Sequence, residues 1–292
     1  MINIEALPTE SEAADVLERA LRSGLDPEAG PARSVADVPA GQILLMPAAV
    51  PGYAGVKIAT VAPGNRELPR IQGVYLLLDG GSLTPIALLD GVALTAIRTP
   101  AVSALAVRHL AAPDASHLVV FGTGPQAWGH VRALCAERPV ERVTVVGRGG
   151  TEGFVARCRA SGLDASAGTP DAVGGADIVA CCTTAREPLF PGGLVPARAV
   201  VVAVGSHEPS AREVDGDLVA RSEVFVESRA AALREAGDLV IPGVTRAPAN
   251  LAELVTGTPR TGADRPRLFK SVGMAWEDLV VAVAAYERRR GE

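Results

Sequence analysis

The stretch Leu118-Val-Val-Phe-Gly-Thr-Gly-Pro-Gln-Ala127 determines the fold class of this chain. Its apolar run from Leu118 to Phe121 is typical of a buried strand, and a glycine-punctuated turn follows directly. Pro125 suits the start of a helix, because its fixed φ is helical and the N–H that it lacks would have had no partner there. A strand, a turn and a helix in this order predict a βα unit of a parallel sheet.

The glycines of this turn follow the pattern Gly122-x-Gly124-x-x-Ala127, which is the dinucleotide-binding fingerprint with its permitted alanine ending. Gly122 permits the sharp turn, Gly124 leaves room for a pyrophosphate, and Ala127 lets the helix pack closely on the strand. The N–H groups of the first helical turn would then face the phosphates. The alternative is an ordinary glycine-rich turn, but the strand before it and the helix after it favour a cofactor site.

The bulk composition is that of a globular protein with one large domain or two ordinary ones. The chain has 292 residues, of which 48% are hydrophobic and 21% are charged, so a sizeable core is available. The formal net charge of −5 provides no general attraction to nucleic acid or to an anionic membrane. Charged residues, Gly or Pro also interrupt each apolar run before it could cross a bilayer. We therefore expect no nucleic-acid partner and no membrane partner.

The cysteines and the N-terminus predict the cellular compartment. Cys135, Cys158, Cys181 and Cys182 match no zinc-binding spacing, and no metal site is expected. The N-terminal residues Met-Ile-Asn-Ile-Glu lack the basic and apolar pattern of a signal peptide. The cysteines are therefore predicted to be reduced core thiols in a cytoplasmic protein.

Two patterns of secondary structure divide the chain. Up to position 112, a helix at 11–21 is followed by short β-like segments that Pro and Gly turns separate, which predicts a mostly antiparallel sheet, and then by a long helix at 96–112. From position 116 onward, strands alternate with helices, which predicts a parallel sheet with right-handed crossovers. The predicted strands are 42–46, 56–61, 73–78, 85–89, 118–121, 142–147, 178–182, 200–204 and 224–227, and the later helices are 125–137, 151–160, 215–220 and 228–236.

The last segment, 268–292, is predicted to rejoin the N-terminal domain. A short apolar run at 268–272 precedes a helix from about position 275 to 289, in which apolar residues are spaced as one face. That face consists of Trp276, Leu279, Val280, Val283 and Tyr286. The predicted fold class is thus α/β, with a Rossmann-type parallel-sheet domain over 113–267 and a discontinuous α+β domain over 1–112 and 268–292.

The end of the second strand in the nucleotide domain bears on the choice of cofactor. Val146-Gly-Arg148-Gly149 occurs about 25 residues after Gly122, where an NAD site usually places Asp or Glu against the ribose hydroxyls. A glycine and an arginine remove carboxylate repulsion and offer a fork for a 2′-phosphate. The sequence favours NADP over NAD; the alternative is that Arg148 is a solvated loop charge.

Three cations stand in apolar surroundings in the N-terminal domain. Lys57 lies between two apolar strand residues, Arg98 follows an apolar helical segment, and Arg33 lies in a loop. A buried cation must be paired or bind an anion. If the three converge, a substrate carboxylate is the natural partner, which an arginine can hold by both oxygens. The alternative for each is a surface charge or a structural ion pair.

Five stretches resemble the ornithine cyclodeaminase/mu-crystallin family, in the family's order and over nearly the whole chain. They are Leu45-Met-Pro-Ala48, Gly55-Val-Lys57, Ala87-Leu-Leu-Asp-Gly-Val-Ala-Leu-Thr-Ala-Ile-Arg-Thr-Pro-Ala-Val-Ser-Ala-Leu-Ala106, Gly122-Thr-Gly-Pro-Gln-Ala127 and Phe269-Lys-Ser-Val-Gly273. The resemblance implies a homodimer whose subunits have a substrate-binding and dimerisation domain and a Rossmann domain for NAD(P). Reactions in that family pass through an amino-acid imine and transfer hydride to or from nicotinamide.

The resemblance also implies the roles of particular residues. Arg33, Lys57 and Arg98 fall on positions that hold the substrate carboxylate, with Lys57 also suited to proton transfer, and Met46 is assigned to the same substrate site. The implied cofactor positions are Thr99, Gly122, Thr123, Gly124, Pro125, Gln126, Ala127, Thr183, Thr184, Val204, Gly205, Ser206 and Ser271, to which the charge argument above adds Arg148.

Two departures from the family pattern bear on the reaction. His207 stands where true ornithine cyclodeaminases have an aspartate, and a histidine cannot present a permanent negative charge to an ammonium group. Its ordinary pKa of about 6.5 does suit proton transfer near neutrality, although it could equally be a loop residue that caps a helix. In addition, Arg70-Ile71 precedes Gln72-Gly73, whereas the family often has Ser or Thr followed by His before Gln-Gly.

The sequence therefore predicts an NAD(P)H-dependent reductase of the imine of a 2-oxo acid, whether cyclic or formed from an amine, or an enzyme that oxidises the corresponding amino acid. Arg33, Lys57 and Arg98 would anchor the carboxylate and orient the imine carbon, the cofactor would carry the hydride, and Lys57 or His207 would handle the proton on nitrogen. Two alternatives stay open. One is a cyclodeaminase that releases ammonia and recycles NAD, and the other is a nucleotide-binding protein without turnover.

Overall fold

A computed structural model of the chain describes residues 1–244, 246–258, 262 and 264–291. The chain divides into two compact units, Met1–Arg98 with Met274–Glu292, and Thr99–Gly273. The first part of the chain contains β1 (Ile2–Ile4), α1 (Glu10–Arg22), β2 (Ser34–Val38), β3 (Gly41–Val50), β4 (Tyr53–Val61), β5 (Ile71–Asp79), β6 (Pro85–Asp90) and α2 (Gly91–Leu110). It continues with β7 (His117–Phe121), α3 (Pro125–Glu137), β8 (Arg142–Val146), α4 (Glu152–Ala160), β9 (Asp164–Ala167), β10 (Ile178–Cys181), β11 (Val200–Ala203), α5 (Gly216–Arg221), β12 (Glu223–Val226), α6 (Arg229–Glu235), α7 (Gly237–Val240), β13 (Ala249–Asn250), α8 (Leu251–Val255), β14 (Arg267–Lys270) and α9 (Ala275–Gly291).

The first unit is built on a six-stranded sheet with the order β1-β6-β5-β4-β3-β2. All neighbouring strands are antiparallel except β1 and β6, so the expected mostly antiparallel sheet is confirmed. Strands β1 and β2 were not predicted from the sequence, because β1 has only three residues and β2 is exposed along its whole length, without the alternation of a half-buried strand.

Helices α1 and α9 pack against each other, and α9 packs on β3, β4 and β5. Helix α1 begins at a capping box, in which the Thr9 side chain accepts from the Glu12 N–H while the Glu12 carboxylate accepts from Thr9. Its apolar face buries Ala13, Ala14, Leu17 and Leu21.

The buried face of α9 differs from the predicted one. Val280 and Val283 are only half-buried, whereas Glu277 and Asp278 are fully buried beside Trp276. Helical periodicity predicts that apolar residues face inward and charged residues face outward. It could not anticipate that cations on the sheet and on α2 would compensate two buried carboxylates.

The second unit is built on an eight-stranded parallel sheet with the order β13-β12-β14-β11-β10-β7-β8-β9. The run β9-β8-β7-β10-β11-β14 has the 3-2-1-4-5-6 arrangement of a dinucleotide-binding sheet, with the direction of winding reversed between β7 and β10. Strands β7, β10 and β11 are buried at every position, as expected for strands with both faces covered. The predicted α/β class is confirmed.

The predicted domain boundaries, at 112/113 and 267/268, differ from the limits of the two compact units. The second boundary would separate β14 from the parallel sheet, although β14 lies between β11 and β12 in that sheet. The sequence of a four-residue apolar strand does not indicate which sheet the strand joins, because the strands that pair with it lie elsewhere in the chain.

Within the described part of the chain, no helix has both the length and the hydropathy that a membrane span requires. All four cysteines are free thiols, buried at Cys158 and Cys181 and half-buried at Cys135 and Cys182. The described residues contain no group of three or more His, Cys, Asp or Glu side chains arranged to hold a metal ion.

Candidate functional site

The glycine turn after β7 has the geometry that a dinucleotide requires. Gly122 has φ +104°, and a Cβ at this position would lie 2.5 Å from the Cys182 carbonyl oxygen, so only glycine fits. A Cβ at Gly124 would meet no atom within 4 Å, so the space beside this backbone is open. Pro125 begins α3, and Ala127 is fully buried. The turn thus leaves an open helix N-terminus that fits a pyrophosphate.

Four neighbouring strands are each followed by residues that are predicted to bind the cofactor. Because β7, β10, β11 and β14 are parallel neighbours, their carboxyl ends lie at one edge of the sheet. Gly122 follows β7, Thr183 and Thr184 follow β10 by one and two residues, Val204 to Ser206 follow β11, and Ser271 follows β14. This edge includes the switch point between β7 and β10, where sheets of this type bind ligands. The tertiary structure therefore brings most of the predicted cofactor residues of this unit to one place.

Two buried carboxylates that the sequence analysis did not single out organise this edge. Glu213 accepts hydrogen bonds from the Thr183 N–H and hydroxyl and from the Gly205 N–H. Glu227, immediately after β12, accepts from the Ser271 hydroxyl at 2.6 Å and from the N–H groups of Val272 and Gly273. Burial raises the pKa of Glu213, while Lys270 and the donated hydrogen bonds act in the opposite direction. The only sequence signal for either residue was a charge next to an apolar segment.

The remaining predicted cofactor residues have varied environments. Arg148 is exposed in the loop after β8, next to Gly149 and Gly150, both of which have positive φ. Thr99 is buried in α2. Thr123, like Gly124, is exposed in the glycine turn.

In the first unit, Lys57 and Arg98 converge on α9. Lys57 Nζ lies 2.8 Å from Asp278 Oδ2 and 3.2 Å from Thr95 Oγ1. Arg98 donates from Nε to Asp278 Oδ1 at 3.3 Å and from Nη1 to Glu277 Oε2 at 2.9 Å. Lys57 is 4% exposed and Arg98 6%, and both carboxylates are fully buried. Of the three cations named from the sequence, Lys57 and Arg98 meet here, and both take part in buried ion pairs.

The sheet places Lys57 between Met46 and Tyr75. Met46 pairs with Lys57 on β3 and Tyr75 pairs with it on β5, so the three side chains share the buried face of the sheet. Desolvation lowers the pKa of Lys57 to about 8, an effect that Asp278 partly opposes. An ammonium group has three N–H donors, and Thr95 and Asp278 are the two hydrogen-bond partners of Lys57 among the described residues. One donor therefore remains for a ligand.

Sequence comparison decides the family. The model of the ornithine cyclodeaminase/mu-crystallin family matches residues 2–292. This chain belongs to the ornithine cyclodeaminase/mu-crystallin family. The resemblance inferred from the five motif stretches is thereby confirmed.

Three relatives of this family member cover most of its length. It is 36% identical over 266 residues to a Δ1-pyrroline-2-carboxylate reductase of Bacillus cereus, covering 84% of this chain and 81% of the relative. It is 34% identical to the ketimine reductase mu-crystallin of Rattus norvegicus, covering 79% and 74%. The structure of Thermococcus litoralis Δ1-pyrroline-2-carboxylate reductase, in complex with NADH and L-proline, superposes with a TM-score of 0.91 at 32% identity, covering 98% of this chain and 97% of that one.

The roles of Arg33 and His207 at the substrate site stay predictions. Arg33 is half-buried in the segment before β2, and His207 is exposed in the loop after β11. His117 and His130 are buried, and their ring nitrogens are hydrogen-bonded. His130 is bonded to the Gln126 carbonyl and to Ser103, and desolvation lowers its pKa to about 4. His117 is bonded to the Gly175 carbonyl and Thr144.

Proposed function

We propose that this chain is an NAD(P)H-dependent reductase of imines that carry a 2-carboxylate, with cyclic imino acids as the substrate class. The observation that carries the proposal is the pair of buried cations, Lys57 and Arg98, of which Lys57 keeps an N–H donor for a ligand. The named relatives support it, since they reduce Δ1-pyrroline-2-carboxylate or ketimines. The reverse reaction, oxidation of the corresponding amino acid, uses the same residues.

The cation cluster binds the substrate carboxylate in this proposal. Asp278 and Glu277 hold Lys57 and Arg98 in fixed orientations, so that little side-chain entropy is lost when the carboxylate arrives. Arg33 is proposed as a third cation and Met46 as an apolar wall of the same substrate site.

Lys57 is also the proposed proton donor to the nitrogen of the product. Its pKa of about 8 leaves the ammonium form dominant at neutral pH, yet the proton is much more readily released than that of an exposed lysine. Nζ can regain its proton from solvent after each turnover. His207 is the second proposed proton carrier.

The open glycine turn and the strand ends of the second unit fit a dinucleotide. The residues proposed to hold it are Thr99, Gly122, Thr123, Gly124, Pro125, Gln126, Ala127, Arg148, Thr183, Thr184, Val204, Gly205, Ser206 and Ser271. The bound nicotinamide supplies the hydride. Arg148 in place of an acidic residue is the reason to propose a preference for NADP over NAD.

A homodimer is proposed from the outer face of the first unit's sheet. On the face opposite α9, Leu45, Ile58 and Val74 are cross-strand neighbours that are exposed or half-buried, and Leu45 is 42% exposed. Apolar side chains that are contiguous and exposed mark interaction surfaces. A second copy of the chain is the proposed occupant, as the resemblance to the family implied.

The test is to incubate the purified protein with NADPH or NADH and Δ1-pyrroline-2-carboxylate, or with a 2-oxo acid and an amine, and to follow loss of the reduced-nicotinamide absorbance. We expect oxidation of the nucleotide with formation of the amino acid. Ornithine and lysine with NAD form the contrasting arm. Ammonia release there without net reduction, together with no imine reduction, would replace the reductase by a cyclodeaminase. Nucleotide binding with no turnover in any arm would identify a binding protein.

A further inference from the structure

We propose that Glu213 is a positioning residue of the nucleotide site, whose carboxylate holds together the loops after β10 and β11. The inference rests on the proposed function, because it presumes that these loops bind a dinucleotide. In a sheet with this strand order, the first three strands bind the adenosine half of the cofactor. The loops after β10 and β11 therefore receive the nicotinamide half, whose placement determines hydride transfer.

The two oxygens of Glu213 hold different loops. Oε1 accepts from the Thr183 N–H at 2.8 Å and from the Thr183 hydroxyl at 2.7 Å, and Oε2 accepts from the Gly205 N–H at 2.7 Å. The side chain is fully buried. One carboxylate therefore links the two loops beyond the last backbone hydrogen bond between them, from the Val204 N–H to the Cys181 carbonyl oxygen.

The absence of a side chain at Gly205 makes this arrangement possible. A Cβ there would lie 1.9 Å from the Thr183 carbonyl oxygen and 2.5 Å from Glu213 Oε1. The backbones of the two loops are therefore in direct contact, and no side-chain packing between them could substitute for the carboxylate. This explains why a glycine stands in the middle of the proposed contact Val204-Gly-Ser206.

Glu213 is itself held in place by a second buried pair. Asp238 Oδ1 accepts from the N–H groups of Glu213 and Val214, at 2.7 and 3.0 Å. Asp238 Oδ2 lies 3.0 Å from Lys270 Nζ, and both side chains are fully buried. Lys270 is the last residue of β14, immediately before Ser271.

This network connects the ends of β10, β11 and β14. Buried ion pairs are costly to desolvate and are weak sources of net stability. We therefore assign its effect to the geometry of the loops. Apolar side chains would fill this part of the core without the desolvation cost of Glu213, Asp238 and Lys270, so packing alone does not explain these three charges.

The test compares Glu213→Gln with Glu208→Gln. A glutamine offers one oxygen and one NH₂ group, so one of the two loops would face a donor where it now has an acceptor. Glu208 is exposed in the loop after β11 and pairs with Arg186 at 2.9 Å, so its variant makes the same chemical change at a side chain that bonds neither Thr183 nor Gly205. The readouts are the Kd for NADPH and NADH by calorimetry, the KM for the imine at saturating nucleotide, amide exchange at Thr183 and Gly205, and the melting temperature.

For Glu213→Gln we expect the nucleotide Kd to rise about 10- to 100-fold. This range corresponds to the free energy of one hydrogen bond to a charged group. We expect faster amide exchange at Thr183 and Gly205, and an imine KM within about twofold of the original. Glu208→Gln should change none of these. A folded Glu213→Gln protein with unchanged nucleotide Kd would overturn the assignment, even if its melting temperature fell.

Three further outcomes are separable from these. If Glu213→Gln does not fold, Glu213→Asp carries the same test, because it keeps the charge but is one methylene too short to reach both loops. If the unaltered protein binds neither NADPH nor NADH, the proposed function and this inference both fail. If it binds nucleotide and reduces imines while the Glu213 variants bind equally well, only the positioning role fails.

Discussion

Lys57 Nζ and Asp278 Oδ2 lie 2.8 Å apart, from residues 221 positions apart in the chain, and neither side chain has appreciable solvent exposure. The pair brings a sheet cation and a helix anion into the buried face of the first unit. Asp278 also accepts from Arg98, so one carboxylate holds both proposed carboxylate-binding cations.

The protonation state of Lys57 predicts a pH dependence of the reaction. Because the pKa of Lys57 is lowered to about 8, the ammonium form predominates below that pH and is lost as the pH rises through it. We expect kcat/KM for imine reduction to fall about tenfold per pH unit above pH 8 through loss of this one proton. The pH profile of Lys57→Arg is the control, since arginine keeps its charge throughout. An alkaline limb that persists unchanged in this variant would assign the titration to another group.

Asp278→Asn should move that alkaline limb to lower pH. Asp278 raises the pKa of Lys57, so its removal leaves desolvation and the positive charge of Arg98 to lower it further. The measurement is the same kcat/KM profile, recorded with a melting curve to select the pH range in which the variant is folded. A limb that moves to higher pH would contradict the assigned pairing.

Lys57→Met should abolish turnover but retain the nucleotide. Proton donation by one side chain contributes about 10²- to 10⁴-fold to the rate, so we expect kcat/KM to fall by at least that range when the carboxylate contact is lost as well. The Kd for NADPH should stay within about twofold, because Lys57 belongs to the first unit. Calorimetry with NADPH and steady-state kinetics measure the two effects separately. Retained turnover would remove Lys57 from the mechanism.

The two glycines of the turn after β7 should respond differently to alanine. Gly122→Ala requires a side chain at φ +104° and against the Cys182 carbonyl, so we expect a loss of about 1–3 kcal/mol or more in the free energy of unfolding. Gly124 has an extended backbone and open space, so Gly124→Ala should change stability by less than about 0.5 kcal/mol. It should nevertheless weaken nucleotide binding about tenfold or more, because the methyl group occupies the path of the pyrophosphate. Equal nucleotide affinity in Gly124→Ala would argue against a pyrophosphate at this turn.

Arg148 should determine the preference between the two nucleotides. Arg148→Ala removes the proposed fork for a 2′-phosphate, and we expect the ratio of kcat/KM for NADPH to that for NADH to fall about tenfold. The value with NADH should not change, and Arg148→Lys should give an intermediate ratio. If the ratio does not change in either variant, Arg148 is a solvated loop charge.

The outer face of the first unit's sheet should determine the oligomeric state. Val74→Lys places a charge in the proposed interface and should convert a dimer into a monomer, as measured by light scattering after size-exclusion chromatography. Val240→Lys is the matched control, because Val240 is 40% exposed and Val74 41%, on different units. Dimers that persist in Val74→Lys would place the interface on another surface.

Much of the parallel sheet was predictable because its signals are local. The apolar run before Gly122, the glycine spacing and the start of α3 at Pro125 are all contained in ten consecutive residues. The position of β14 was not predictable, since a strand of four residues contains no information about whether it pairs with β11 or with the sheet of the first unit.

The part of the candidate site that could be predicted also has local sequence signals. Its cations and glycines are conspicuous because each interrupts a regular pattern. The carboxylates that hold them, Glu213, Glu227 and Asp278, stand where a helix face or a loop would normally have a solvated charge. Their burial depends on partners that lie up to 221 residues away in the chain.

The sequence by itself determined the α/β class, the nucleotide turn at Gly122, and the presence of cations in apolar surroundings, because each follows from periodicity or from the conformational limits of neighbouring residues. Only the tertiary structure decided which charges are buried together. The free energy of a buried charge depends on oppositely charged groups within a few ångströms, and the chain brings those groups together only when its distant segments pack.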